Sequence, residues 1–210
     1  MKYVYEFIGT FFLVLTVGMT VLNPIGVIVA PLAIGSILAV MVFTGGHVSG
    51  GHFNPAVSLS VFLRNKLSIR DLWIYWVVQL AAAVAAGFLT IYFKGRPQEV
   101  VLSMETIKPF IAEFLFTFAL CFVVLNVATS KETKGNSFYG FAIGFTVLVG
   151  AYAVGTVSGA AFNPAVALGI SIMHITAWSA LWIFIVANLL GGAFAALIYK
   201  AGMNNEQNQS

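Results

Sequence analysis

An eleven-residue string is written twice in this chain, SGGHFNPAVSL at 49–59 and SGAAFNPAVAL at 158–168, at an offset of 109. Three more matches fall in the same order. EFIGTFFLVL from Glu6 resembles EFLFTFALCF from Glu113, AIG at 33–35 returns at 142–144, and Gln79 corresponds to Asn188. A repeat of this length makes each half one structural unit. Each half also holds three apolar stretches long enough to cross a bilayer as helices: about 3–22, 29–46 and 71–93, then 108–129, 138–155 and 175–199. Three is odd, so the second half enters the membrane from the opposite side to the first. The sequence therefore predicts an all-α membrane protein with a 3+3 inverted repeat in a single domain, 1–210. Repeat 1 runs about 3–93 and repeat 2 about 108–199.

Composition agrees with lipid as the solvent. Hydrophobic residues make up 60% of the chain and charged residues 8%, against about 25% charged in a soluble domain. The charges collect in the connections 64–70, 94–107 and 130–137, and the tail 201–210 is polar and expected to fray. Lys and Arg set the orientation. With the N-terminus inside, the inner side receives Lys2, Arg64, Lys66, Arg70, Lys131, Lys134 and Lys200, and the outer side only Lys94, Arg96 and Lys108. Both termini are thus predicted to be cytoplasmic, in the plasma or inner membrane. The basic residues form no nucleic-acid patch, the first apolar stretch reads as a retained span rather than a leader, and the single cysteine, Cys121, reads as a core residue.

The repeated FNPAV interrupts the apolar pattern for a physical reason. Proline is tolerated at the first helical position, where its missing N–H would have no partner, and asparagine is a preferred N-cap. Asn54 and Pro55, like Asn163 and Pro164, therefore begin helices over about 55–63 and 164–173, with Ala56 and Ala165 in the first turn. At 1.5 Å per residue each covers about half a membrane, so the fold gains two re-entrant half-helices that meet cap to cap. The stretches before them, 49–53 and 158–162, are expected to be extended. Non-helical backbone at that depth must line a cavity or be buried in protein. The carbonyls of Gly50, Gly51, His52 and Phe53, and of Gly159, Ala160, Ala161 and Phe162, are expected to be free acceptors along a pore. The two Asn amides are expected to donate to a passing solute. Two positive helix ends at one depth oppose cations.

These motifs as a set, with GHVSGGHFNPAVS and the E-F-x-G-T-F start, resemble the major intrinsic protein family of aquaporins and glycerol facilitators, over almost the whole chain. The resemblance implies a passive channel for water or small neutral solutes, a homotetramer in membrane lipid, no cofactor and no metal. It also implies that Glu6 and Glu113 are structural carboxylates serving the re-entrant loops. Most members continue the second NPA with an arginine that lines an outer filter; here that residue is Val166. The other filter positions fall at Ile34, Ala151 and Ala160, which makes the filter uncharged, apolar and wide. The Asp that follows in glycerol facilitators is Ala167. His47 and His52 are expected to pack the first loop, His174 to sit near the outer mouth, and Gln79 and Asn188 to bond between helices. An ion-coupled transporter is the alternative built on the same repeat, but it needs a midplane ionisable group beyond these glutamates. Nothing in the sequence pairs a nucleophile with a base as an enzyme would require.

Overall fold

The computed structural model describes residues 1–22, 29–97 and 106–207, excluding the side chains of 203–207. Its elements are α1 (Lys2–Val21), α2 (Ala30–Ser49), α3 (Pro55–Leu63), α4 (Ile69–Lys94), α5 (Ile107–Thr129), α6 (Tyr139–Ser158), α7 (Pro164–Ile172) and α8 (Leu181–Gln207). A 3-10 turn, Trp178–Ala180, precedes α8. Among the described residues six helices are long and apolar enough to cross a membrane. The two of nine residues each, α3 and α7, are the half-helices.

The boundaries differ from expectation where caps act. α2 and α6 run on to Ser49 and Ser158, so the non-helical stretches shorten to 50–53 and 159–162, and they are not extended as expected: Gly50, Gly51, Phe53, Gly159, Ala160 and Phe162 all have positive φ. Gly50 (φ +91) and Gly159 (φ +86) stop the helices in the left-handed region that glycine enters at least cost. Ser68 caps α4 by accepting from Asp71 N, which moves its start ahead of the expected 71. The sixth span begins at 181 rather than 175, because the chain leaves α7 through extended backbone at Ala177 and the 3-10 turn before it turns back. That helix also continues to Gln207, into the tail expected to fray. Part of the connection 94–107, and residues 208–210, lie outside the described residues.

Helix contacts follow the repeat. Exchanging α1, α2, α3 and α4 for α5, α6, α7 and α8 turns the α1–α4 contact into α5–α8, α1–α2 into α5–α6, and α3–α8 into α4–α7. Two contacts map onto themselves, α2–α6 and α3–α7, and so lie on the pseudo-two-fold axis. At the α2–α6 crossing the helices touch through Gly35 and Gly144. A Cβ built on Gly144 would lie 2.3 Å from the Gly35 carbonyl oxygen, and one on Gly35 2.7 Å from that of Gly144. Small residues permit this approach where lipid supplies no hydrophobic force between helices. The outer surface carries exposed Trp73, Val77, Phe88, Phe145, Trp182 and Leu197, as a lipid-facing wall requires. α3 and α7 lie inside, with Pro55, Ala56, Pro164 and Ala165 all buried.

Candidate functional site

Each half-helix begins as its sequence dictates. Asn54 and Asn163 have extended backbone (φ −158 and −159), and their Oδ1 atoms accept from Ala56 N at 2.8 Å and Ala165 N at 2.9 Å. This leaves Nδ2 of each free to turn across the axis. Asn54 Nδ2 donates to the Phe162 carbonyl and Asn163 Nδ2 to the Phe53 carbonyl, each at 2.9 Å. The two caps are therefore bonded to each other's loops. Both asparagines are 3% exposed.

Two expectations change here. The carbonyls of Phe53 and Phe162 are not free, since each accepts from the opposite asparagine. Each asparagine amide also has one of its two hydrogens committed, so one N–H per residue remains. Among the described residues no donor reaches the carbonyls of Gly50, Gly51, His52, Gly159, Ala160 or Ala161. Main-chain acceptors at this depth need a partner.

The loops are held by two buried carboxylates. Glu6 accepts from the Ser49 hydroxyl (2.7 Å) and His52 N (2.9 Å) on Oε1, and from Phe53 N (2.7 Å) and Gln79 Nε2 (2.8 Å) on Oε2. Glu113 repeats the arrangement with the Ser158 hydroxyl (2.7 Å) and Ala161 N (3.0 Å) on Oε1 and Phe162 N (2.7 Å) on Oε2. The grip matters because Phe53 (φ 50), Ala160 (φ 53) and Phe162 (φ 48) stand in the left-handed region, at about 1–3 kcal/mol each. Their N–H groups or neighbouring N–H groups are what the carboxylates hold. Ser49 and Ser158 belong to this grip and were not singled out in the sequence. Their recurrence at the start of the repeated string was the available signal.

The halves are not equal in detail. His52 Nδ1 lies 3.1 Å from the Ser58 hydroxyl, which also accepts from Gln79 Nε2 and donates to the Asn54 carbonyl. The equivalent positions in the second half are Ala161 and Ala167, whose side chains carry no polar atom. Tyr75 OH donates to the Ser49 carbonyl at 2.6 Å and Trp76 Nε1 to the Pro55 carbonyl at 2.9 Å, where the second half has Phe184 and Ile185. Asn188 bonds between helices too, accepting from the Thr117 hydroxyl at 2.9 Å. Cys121 is a free, buried thiol.

Three cavities follow one another from one mouth of the protein to the other. The central one, between the two asparagines, has about 30 Å³ of room for water centres, space for two or three waters. Asn54, Asn163, Gly51, His52, Ala160 and Ala161 bring its polar atoms, and its remaining wall is aliphatic, including Leu13, Val57, Leu120 and Val147. On one side lies a vestibule of about 290 Å³. The two share Val17, Ile34, Ala160 and Val166 as a rim, while Ala151 and Gly159 line the vestibule alone. Among the described residues no charged one lines it. On the other side, past Gly50, a vestibule of about 550 Å³ is lined by His47, Lys66, Lys131 and Lys134. His47 thus sits at a mouth rather than inside the loop packing, while His174 is half-buried just after α7.

Comparison with known proteins finds the same architecture. Residues 1–199 match the family described as major intrinsic protein. The chain is 35% identical to nodulin-26 of Glycine max, over 95% of its own length and 76% of that protein's. It is 34% identical to aquaporin NIP1-4 of Oryza sativa subsp. japonica, over 93% and 74%. The aquaglyceroporin from Plasmodium falciparum superposes with a TM-score of 0.81 at 20% identity, covering 100% of this chain and 98% of that one.

Proposed function

The chain belongs to the major intrinsic protein family, and from that premise we propose how its atoms conduct. It is an integral membrane channel for water and small neutral solutes. In our reading the solute file runs through the central cavity. There it exchanges hydrogen bonds with the one remaining N–H of Asn54 and of Asn163, and with the carbonyls of Gly50, Gly51, His52, Gly159, Ala160 and Ala161. Pro55, Ala56, Pro164 and Ala165 start the two half-helices whose positive ends meet at this depth. With about half a charge each, roughly 5 Å from an ion, the pair opposes a cation by about 3 kcal/mol at an effective dielectric of about 20. A neutral donor–acceptor molecule meets no such field.

Ile34, Ala151, Ala160 and Val166 form the outer filter in this proposal. They add neither charge nor side-chain hydrogen bonds, so selection there rests on width and on the carbonyls of Gly159 and Ala160. Glu6 and Glu113 are structural, since every oxygen is spent on loop donors. We assign the chain no chemical step and no cofactor or metal. We place it as a homotetramer in the cell membrane, one domain of two repeats, with both termini cytoplasmic by the Lys and Arg bias.

The observation that carries this reading is the pair of crossed asparagines beside six unpartnered carbonyls. Stopped-flow light scattering on proteoliposomes tests it. Osmotic shrinkage is expected to be several times faster than in empty vesicles, and iso-osmotic re-swelling in ammonia, urea or glycerol ranks the solutes. Shrinkage no faster than in protein-free vesicles overturns the reading.

A further inference from the structure

The two mouths differ in charge. Among the described residues the vestibule beside the filter has no charged lining, whereas the other gathers Lys66 from the α3–α4 connection, Lys131 and Lys134 from the α5–α6 connection, and His47 from the last turn of α2. No carboxylate among the described residues lines this second cavity. Among the described residues the one ion pair is Lys2–Asp71, so none of these lysines is in a salt bridge there, although Glu132 feels the charge of Lys131. Glu132, between Lys131 and Lys134, is turned to the Ser130 hydroxyl and is absent from the wall.

The lip that presents the lysines is built. The last carbonyls of a helix lack partners; here Thr133 Oγ1 donates to the Asn126 carbonyl at 2.6 Å and Asn136 Nδ2 to that of Val127 at 2.7 Å. Asn136 also ties back to the Thr133 carbonyl. These side chains cap α5, so Lys131 and Lys134 are not needed for capping. Membrane orientation asks only that basic residues lie on one side. It does not ask that three connected elements bring them around one opening, where they repel each other.

We propose that this vestibule is a binding site for a small phosphate oxyanion, either inorganic phosphate or the phosphodiester of an anionic lipid headgroup, and that the bound anion restricts flow. An anion bridging Lys66, Lys131 and Lys134 stands in front of Gly50, the first residue of the loop that enters the pore. It removes the mutual repulsion of the lysines and occludes the file. The anion is free phosphate or the headgroup of an anionic lipid; both present unesterified, negatively charged phosphate oxygens. The flux effect rests on the channel reading above, whereas the binding itself does not.

Two measurements test this. Line broadening of the ³¹P signal of inorganic phosphate reads binding to the detergent-solubilised protein at constant ionic strength, which fixes screening. Water permeability is read by stopped-flow in phosphatidylcholine vesicles with phosphate on both faces, and separately in phosphate-free vesicles containing phosphatidylglycerol. Exposed pairs are weak, so half-saturation falls in the millimolar range and each single Lys→Gln raises it about two- to fivefold. Native permeability is expected to fall at least about twofold when the site fills. The triple variant Lys66→Gln, Lys131→Gln, Lys134→Gln keeps its basal permeability and loses the response. An effect of phosphate identifies the free anion as ligand; an effect of phosphatidylglycerol alone identifies the headgroup. No response to either, or an equal response in the triple variant, overturns the proposal. Broadening without any water permeability leaves the site standing and refutes the channel reading instead.

Discussion

Replacing Glu113 by glutamine changes no atom that touches the pore, yet it is expected to disable the site. The carboxylate accepts three bonds, from the Ser158 hydroxyl, Ala161 N and Phe162 N. A hydroxyl can turn to accept, but a main-chain N–H cannot. Glutamine keeps one acceptor oxygen, so whichever way its amide lies the NH₂ group points at either Ala161 N or Phe162 N. One charge-assisted bond is lost and one buried donor is orphaned, together about 2–4 kcal/mol. That matches the cost of holding one residue in the left-handed region, about 1–3 kcal/mol, and both Ala160 and Phe162 are held there. The loop therefore has enough to gain by relaxing. If Phe162 turns, its carbonyl leaves Asn54 Nδ2, and the damage reaches the cap of the other half-helix. The expected outcome is a lower unfolding midpoint by tryptophan fluorescence and a several-fold lower water permeability per reconstituted channel. A variant matching the native protein in both would refute the idea that Glu113 holds the loop.

Val166→Arg places a guanidinium at the rim, where the carbonyls of Gly159 and Ala160 await donors; re-swelling in urea or glycerol is expected to slow more than osmotic shrinkage, and equal slowing would argue against a filter at this rim. In a pH-dye assay the same variant is expected to change proton entry little, because the half-helix ends already oppose cations by about 3 kcal/mol; a large proton leak in the native protein that Arg abolishes would show that this field is insufficient alone. Gly144→Val drives a side chain into the Gly35 carbonyl, a contact of 2.3 Å already at Cβ, and is expected to collapse the yield of folded protein in gel filtration, with normal yield and stability counting against the tight crossing. Asn163→Ala removes a cap worth about 1 kcal/mol and the bond to the Phe53 carbonyl, so water permeability is expected to fall while the protein still folds; unchanged permeability would place the solute path elsewhere.

Much of this was legible in the sequence because two strong local rules apply at FNPAV. An Asn–Pro pair specifies a cap and a first helical position without reference to the rest of the chain, and both half-helices begin where the strings place them. The repeat at an offset of 109, with three spans in each half, then implied the inverted topology. What could not be read was pairing across the axis. Nothing local tells Asn54 that its second partner is Phe162, so the Phe carbonyls looked free. The grip of Glu6 and Glu113 needed the resemblance to be anticipated, and its serines hid in a string read only as small. The late start of the last span escaped because the apolar run beginning at 175 has no proline or glycine to mark where the extended chain ends and the helix begins.

The crossed bonds between Asn54, Phe162, Asn163 and Phe53 also constrain how such a chain came to exist. Half of this protein, three spans and one FNPAV, holds an asparagine whose second partner lies on another copy. A half-length ancestor completes the site only as an antiparallel pair, with each copy inserted in the opposite sense to its mate and with Gly35 and Gly144 as one glycine meeting itself on the dyad. Such a chain has to enter the membrane both ways round in equal numbers, which demands almost no bias in its basic residues. Fusing the copies removes that demand. Each half is then free to place its lysines at one common face, as Lys66 and Lys131 do at one mouth, and to differ from its twin, as His52, Ser58, Tyr75 and Trp76 correspond to Ala161, Ala167, Phe184 and Ile185 in the other half.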